Sequence, residues 1–76
     1  MELEKLQHIV AEVLNVDPSE VQMDSTLKND LGADSLDCYQ IIMKVEKTFN
    51  IHLDVKDIEK CVVIGDVIKI IKKAMR

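Results

Sequence analysis

A chain of 76 residues has room for one domain and one small core, because a domain of this size buries only about 60% of the surface its unfolded form exposes, which leaves little space for a deep enzyme active site. It is 47% hydrophobic, yet its aromatic residues are Tyr39 and Phe49 alone, so the core must be built from Leu, Ile, Val and Met. The net charge of −4 divides into −7 over residues 1–37, nine acids against Lys5 and Lys28, and +3 over residues 38–76, five acids against eight bases; the acidic front half disfavours nucleic acid and suits basic protein surfaces.

Leu3, Leu6, Val10, Val13 and Leu14 recur at helical spacing with Ile9 beside them, while Glu4, Lys5, His8 and Glu12 fall on the other side. This predicts an amphipathic first helix ending near Asn15. The acidic start Met1-Glu2-Leu3-Glu4-Lys5 is unlike a secretory signal, and no apolar stretch approaches the roughly 20 residues needed to cross a bilayer. A cytoplasmic protein is expected. Asp17-Pro18-Ser19-Glu20 reads as a capped single turn, since Pro is favoured at the first helical position. The polar segment to Ala33 is a long loop pinned by Val21, Met23, Leu27 and Leu31, and its length points to a functional role.

That loop ends in Asp30-Leu31-Gly32-Ala33-Asp34-Ser35-Leu36-Asp37. Gly32 permits a backbone conformation that other residues avoid, Asp34 is a good N-cap, and Asp37 puts a second acid at the helix start. Ser35 is therefore expected to be exposed on a rigid element. Taken alone, such a turn is also what any capped helix with a surface serine displays. From Ser35 to about Asn50, Cys38, Ile41, Ile42, Val45 and Phe49 form the core stripe. Leu36, Tyr39 and Met43 lie on a different side, predicting an exposed apolar patch beside Ser35 with acids at its top.

Ile51, Leu53 and Val55 alternate, but a lone short strand would have no partner, so a loop is read here, leading to a short helix around residues 56–60. A last helix from about Gly65 to Ala74 turns Val67, Ile68, Ile70 and Ile71 inward, with Lys69, Lys72, Lys73 and Arg76 toward its C-terminal end. The expectation is an all-α fold: one domain over residues 1–76, a small four-helix bundle with a long first loop and a short third helix.

No catalytic constellation emerges. A hydrolase would need a general base near Ser35, and His8 and His52 sit on a polar helix face and in an interhelical loop; the strand and GxSxG turn of a nucleophile elbow are also missing. Asp24, Asp30 and Asp34 do not have calcium-loop spacing. Cys38 and Cys61 lack a CxxC and a helical His partner, so two reduced thiols in or near the core are expected and no metal site. A carrier, in contrast, needs one exposed nucleophile that another enzyme modifies, rigid support, a docking surface and an interior that takes apolar cargo.

The run from Asp30 to Asp37 closely resembles the attachment motif of acyl carrier proteins, and the likeness extends over almost the whole chain, through the Asp17-Pro18 turn, the helix with Phe49 and Gly65-Asp66-Val67. The resemblance implies a four-helix bundle in which Ser35 carries 4′-phosphopantetheine, transferred from coenzyme A by a separate phosphopantetheinyl transferase, the holo-acyl carrier protein synthase. It implies acyl chains held as thioesters, sheltered between helices and presented to fatty acid synthesis enzymes and acyltransferases with basic docking patches. By this analogy Asp34, Leu36, Asp37, Met43 and Glu46 form the contact set, joined by Tyr39 of the apolar patch, on a carrier expected to be monomeric. Carriers for polyketide, modified-lipid, aminoacyl or peptidyl pathways stay open, as does an unmodified helical interaction module in which Ser35 is replaceable. Three departures stand out: Gln40 where a glutamate is common, Lys44 and Lys47 on the second helix, and Val63 where a capping threonine is frequent. The last of these predicts fraying at Gly65 to Val67, because a lost cap costs about 1 kcal/mol and Asp66 replaces it only in part.

Overall fold

The computed structural model describes residues 2–75, in which four helices, α1 (Glu2–Leu14), α2 (Ser35–Phe49), α3 (Val55–Glu59) and α4 (Ile64–Ala74), follow one another with a single 3-10 turn at Pro18–Glu20. This is the all-α, four-helix arrangement expected, with a long first loop and a short third helix. α1 packs against α2 and α4, and α3 bridges α2 and α4. The core is aliphatic throughout, with Leu6 and Val10 of α1, Val21 of the loop, Val45 of α2 and Ile64 and Ile71 of α4 fully buried.

Asparagine ends the two longest helices in the same way. Asn15 and Asn50 take left-handed backbone (φ 57° and 55°), which Asn tolerates better than most residues. The next amide then reaches back across the last turn: Val16 N–H donates to Ala11 O at 3.0 Å and Ile51 N–H to Glu46 O at 3.1 Å. Orphan carbonyls are satisfied and the chain leaves each helix sharply.

The loop between α1 and α2 is packed down. Val21, Leu27 and Leu31 are buried as expected, whereas Met23 is 46% exposed and pins the loop through its backbone instead of its side chain. Met23 O accepts from Gly65 N–H at 2.9 Å and Ser25 O from Ile64 N–H at 3.0 Å, while Leu27 N–H donates to Val62 O at 3.0 Å. The Thr26–Val63 pair forms an isolated antiparallel bridge at this junction. Gln7 of α1 adds a side-chain bond from Nε2 to Val21 O at 2.7 Å, and buried Ser25 donates to Glu20 O at 3.2 Å.

These bonds argue against the expected fraying at the start of α4. Val63 has no side-chain oxygen to cap with, but two of the first amides of α4 find loop carbonyls instead. Asp66 adds the reverse half of a capping box, accepting from Val62 N–H at 3.0 Å and Val63 N–H at 3.3 Å, bonds that lower its carboxyl below the ordinary aspartate value.

α3 begins at Val55, a residue earlier than its sequence pattern suggests, because Asp54 caps it by accepting from Lys56 N–H at 2.9 Å. Ile58 is its buried anchor. Ile70 of α4, expected inward, is half-buried at the edge of the core. Among the described residues no helix is long and apolar enough to cross a membrane.

Candidate functional site

Ser35 is the first residue of α2, and three local devices hold it there. Gly32 takes φ +70° and so turns the chain toward the helix. Upstream, Thr26 and Asp30 bond reciprocally, Thr26 N–H to Asp30 Oδ2 at 2.8 Å and Asp30 N–H to Thr26 Oγ1 at 2.9 Å, and Ala33 N–H reaches Leu27 O at 2.8 Å. Asp34 is the N-cap, with extended backbone, accepting from Asp37 N–H on Oδ1 at 2.9 Å; Asp37 Oδ2 accepts from Asp34 N–H in return at 3.3 Å. This capping box gives both acids of the motif a structural role. Between them, Ser35 is exposed.

Beside Ser35 opens a cleft of about 220 Å³ between α2, α3 and the loop. Leu27, Ile42 and Ile58, all buried, form its floor; Cys38 and Cys61 are half-buried in its walls; Lys28, Asp34, Tyr39, Val55 and Glu59 rim it. The cleft is thus apolar below and charged at the mouth, the general form of a site that takes an apolar ligand by one end. Both thiols are free. Burial pushes Cys38 above the ordinary thiol value, with Asp37 and Asp34 adding to the shift and Lys28 opposing it. Cys61 is pushed up to about 11, first by burial and then by Asp66 and Asp57, and its Sγ lies 3.4 Å from Asp57 O. Thiols so shifted are mostly protonated at neutral pH and behave as apolar wall atoms.

The side of α2 expected to be uncovered, which shares Tyr39 with the cleft rim, is so: Leu36 is 65%, Tyr39 45% and Met43 67% exposed. Asp34 and Asp37 stand at the top of this strip. Glu46 is different, being half-buried. Its Oε2 accepts from Leu53 N–H at 2.8 Å and lies 3.3 Å from His52 Nδ1, fastening the loop after α2. Lys44 reaches Glu12 of α1 at 3.1 Å, a surface pair. His8 and His52 are both exposed. Glu46 lies eleven residues beyond Ser35, a rise of about 16 Å along a helix, so His52 beside it is a helix length from the serine. Among the described residues no group of three His, Cys, Asp or Glu side chains is placed to hold a metal.

Sequence reasoning placed the serine, its caps and the apolar strip, but missed Lys28, Val55 and Glu59 as rim residues. Lys28 carried a signal in its position, between Leu27 and Leu31 and seven residues ahead of Ser35.

Comparison with known proteins bears on this geometry. The family described as a phosphopantetheine attachment site matches residues 4–71, from α1 into α4. An acyl carrier protein of Clostridium acetobutylicum is 42% identical over 72 residues, covering 95% of this chain and 94% of that protein. A chain of the solved structure described as the ishigamide ketosynthase/chain length factor superposes with a TM-score of 0.78 over 97% of this chain and 93% of its own, at 24% identity, a likeness of fold alone. Because the family match and the Clostridium relative both run across the capped serine, the cleft and the helices that frame them, this chain belongs to the acyl carrier proteins, whose cofactor is 4′-phosphopantetheine.

Proposed function

We propose that Ser35 is the attachment residue for 4′-phosphopantetheine, and that the chain is a non-catalytic, monomeric carrier of fatty acyl chains for cytoplasmic enzymes of fatty acid or lipid biosynthesis. One observation carries this reading: Ser35 is exposed on a capped, rigid helix start at the mouth of an apolar cleft. The residues present fit the group, since an outward hydroxyl can accept it and the cleft beside the hydroxyl has an apolar floor. When bound, 4′-phosphopantetheine supplies a terminal thiol that holds an acyl chain as a thioester.

Everything else falls to the chain's own residues. Gly32 and the Asp34–Asp37 box keep Ser35 exposed at the helix start, where a transferase can reach it. Leu27, Ile42 and Ile58 line the floor that excludes water from an apolar cargo. Asp34, Leu36, Asp37, Tyr39 and Met43 form the docking strip, with apolar contacts below and carboxylates above for a basic patch on a partner. Glu46 contributes at the lower edge, where Oε2 is already engaged with Leu53 and His52. Docking need not be tight, because a short flexible tether gives its cargo an effective concentration in the millimolar range.

The test is intact mass after incubation with coenzyme A and a broad-specificity phosphopantetheinyl transferase, for the parent and for Ser35→Ala. Gain of one phosphopantetheine on the parent alone is the expected result. A folded parent that stays unmodified, while a known carrier is modified alongside, would make the chain an interaction module.

A further inference from the structure

The mouth of the cleft is electrostatically lopsided. Among its lining residues Lys28 is the one cation, standing with Asp34 and Glu59 and with Ser35 itself. A phosphodiester formed on Ser35 adds a negative charge where Asp34 and Asp37 already supply two. Two of the amides at this helix start are already engaged, Asp37 N–H with Asp34 Oδ1 and Cys38 N–H with Asp34 O. A cation at the mouth is what such an anion needs.

Lys28 is placed to be that cation. Its neighbour Leu27 and nearby Leu31 are buried, and its own carbonyl accepts from Gly32 N–H at 3.1 Å, so its backbone is fixed while its side chain is exposed at the rim. The Lys44–Glu12 ion pair and the His52–Glu46 contact, formed among the described residues, do not involve it. Lys28, Ser35 and Cys38, one helical turn beyond the serine, line the same cleft, and Lys28 opposes the upward shift of the Cys38 thiol.

Building on the assignment of Ser35 as the attachment residue, we propose that Lys28 is a positioning residue: its ammonium pairs with the phosphodiester on Ser35 and holds that group over the cleft mouth. The pair offsets the repulsion of Asp34 and Asp37. It also biases the arm beyond the phosphate toward the α2–α3 cleft and away from the exposed strip of α2. Lysine suits the task, since a phosphodiester at this spot needs a mobile point charge and no bidentate fork.

The experiment uses transferase-modified protein, with intact mass showing one phosphopantetheine before any spectrum is taken. Phosphorus NMR and proton cross-relaxation are then compared for the parent, Lys28→Met, which keeps length and loses charge, and Lys28→Arg, which keeps charge. Cross-peaks between the Lys28 Hε protons and the methylene next to the phosphate are expected in the parent. The phosphorus line should move by more than its width and narrow in Lys28→Met, and stay near the parent in Lys28→Arg. Raising salt from about 0.01 M to about 1 M, which shortens the Debye length from about 30 Å to about 3 Å, should carry the parent toward the Lys28→Met spectrum. An unchanged phosphorus line in a folded, modified Lys28→Met protein, with no Hε cross-peak in the parent, would overturn the pairing while leaving Ser35 as the carrier residue. A parent that takes up no phosphopantetheine would remove both.

Discussion

Gly32 and Gly65 are both needed, for opposite reasons. At Gly32 a β-carbon would meet nothing within 4 Å, but φ is +70°, so the obstacle to any other residue is backbone strain alone. Gly32→Ala should cost about 1 kcal/mol, read as a lower urea midpoint with an unchanged slope. Gly65 has ordinary helical backbone, where alanine would gain about 1 kcal/mol in propensity. Its β-carbon, however, would lie 3.2 Å from Met23 O, the carbonyl that fastens the loop to α4. That oxygen cannot retreat without lengthening its bond to Gly65 N–H, so Gly65→Ala should also lower the midpoint despite the better helix former. At this scale the sequence was legible wherever a residue acts on its near neighbours. Asp34, Asp37 and Gly32 work through partners a few positions away, and their types announce the turn they make. Met23 misled because its apolar side chain suggested a buried anchor, while its working atom is a backbone oxygen that every residue carries.

Among the elements, α1 and α2 could be read from periodicity and from the asparagines that end them, because long amphipathic stripes repeat the same information several times. α4 was legible in its middle and obscure at its start. Its first amides are met by Ser25 and Met23 carbonyls far away in the chain, and a bond between two backbones leaves no mark on side-chain identity. A residue-by-residue comparison finds valine where a capping side chain is usual and concludes that the end is loose. The structure predicts the reverse: in native-state hydrogen exchange the amides of Ile64 and Gly65 should be protected to a degree approaching the middle of α2. Exchange there as fast as at the last turn of α4 would show that the loop carbonyls do not hold them.

For the molecule as a whole, the wall of the cleft is also its least secured part. α3 has five residues and a single buried anchor, Ile58, whereas α1, α2 and α4 each bury three or more side chains. Few buried apolar contacts mark the low-stability end of a structure, so α3 is the wall of the cleft expected to yield first. Ile58→Ala should therefore act unevenly. Beyond a global loss of about 2–4 kcal/mol, residues 55–61 should exchange their amides faster relative to α1 and α4 than they do in the parent. The bonds joining residues 23–27 to residues 62–65 also bear on how this molecule is made. A hairpin or a lone helix can form as soon as its residues leave the ribosome, but this junction closes a loop that encloses all of α2 and α3, a non-local step of the kind that slows folding. The bonds that stiffen the loop ahead of the serine against α4 can form only when the segment around Ile64 has been synthesised and has returned to meet it. A modifying enzyme that selects for that stiffness would thereby act on finished carriers and pass over nascent ones.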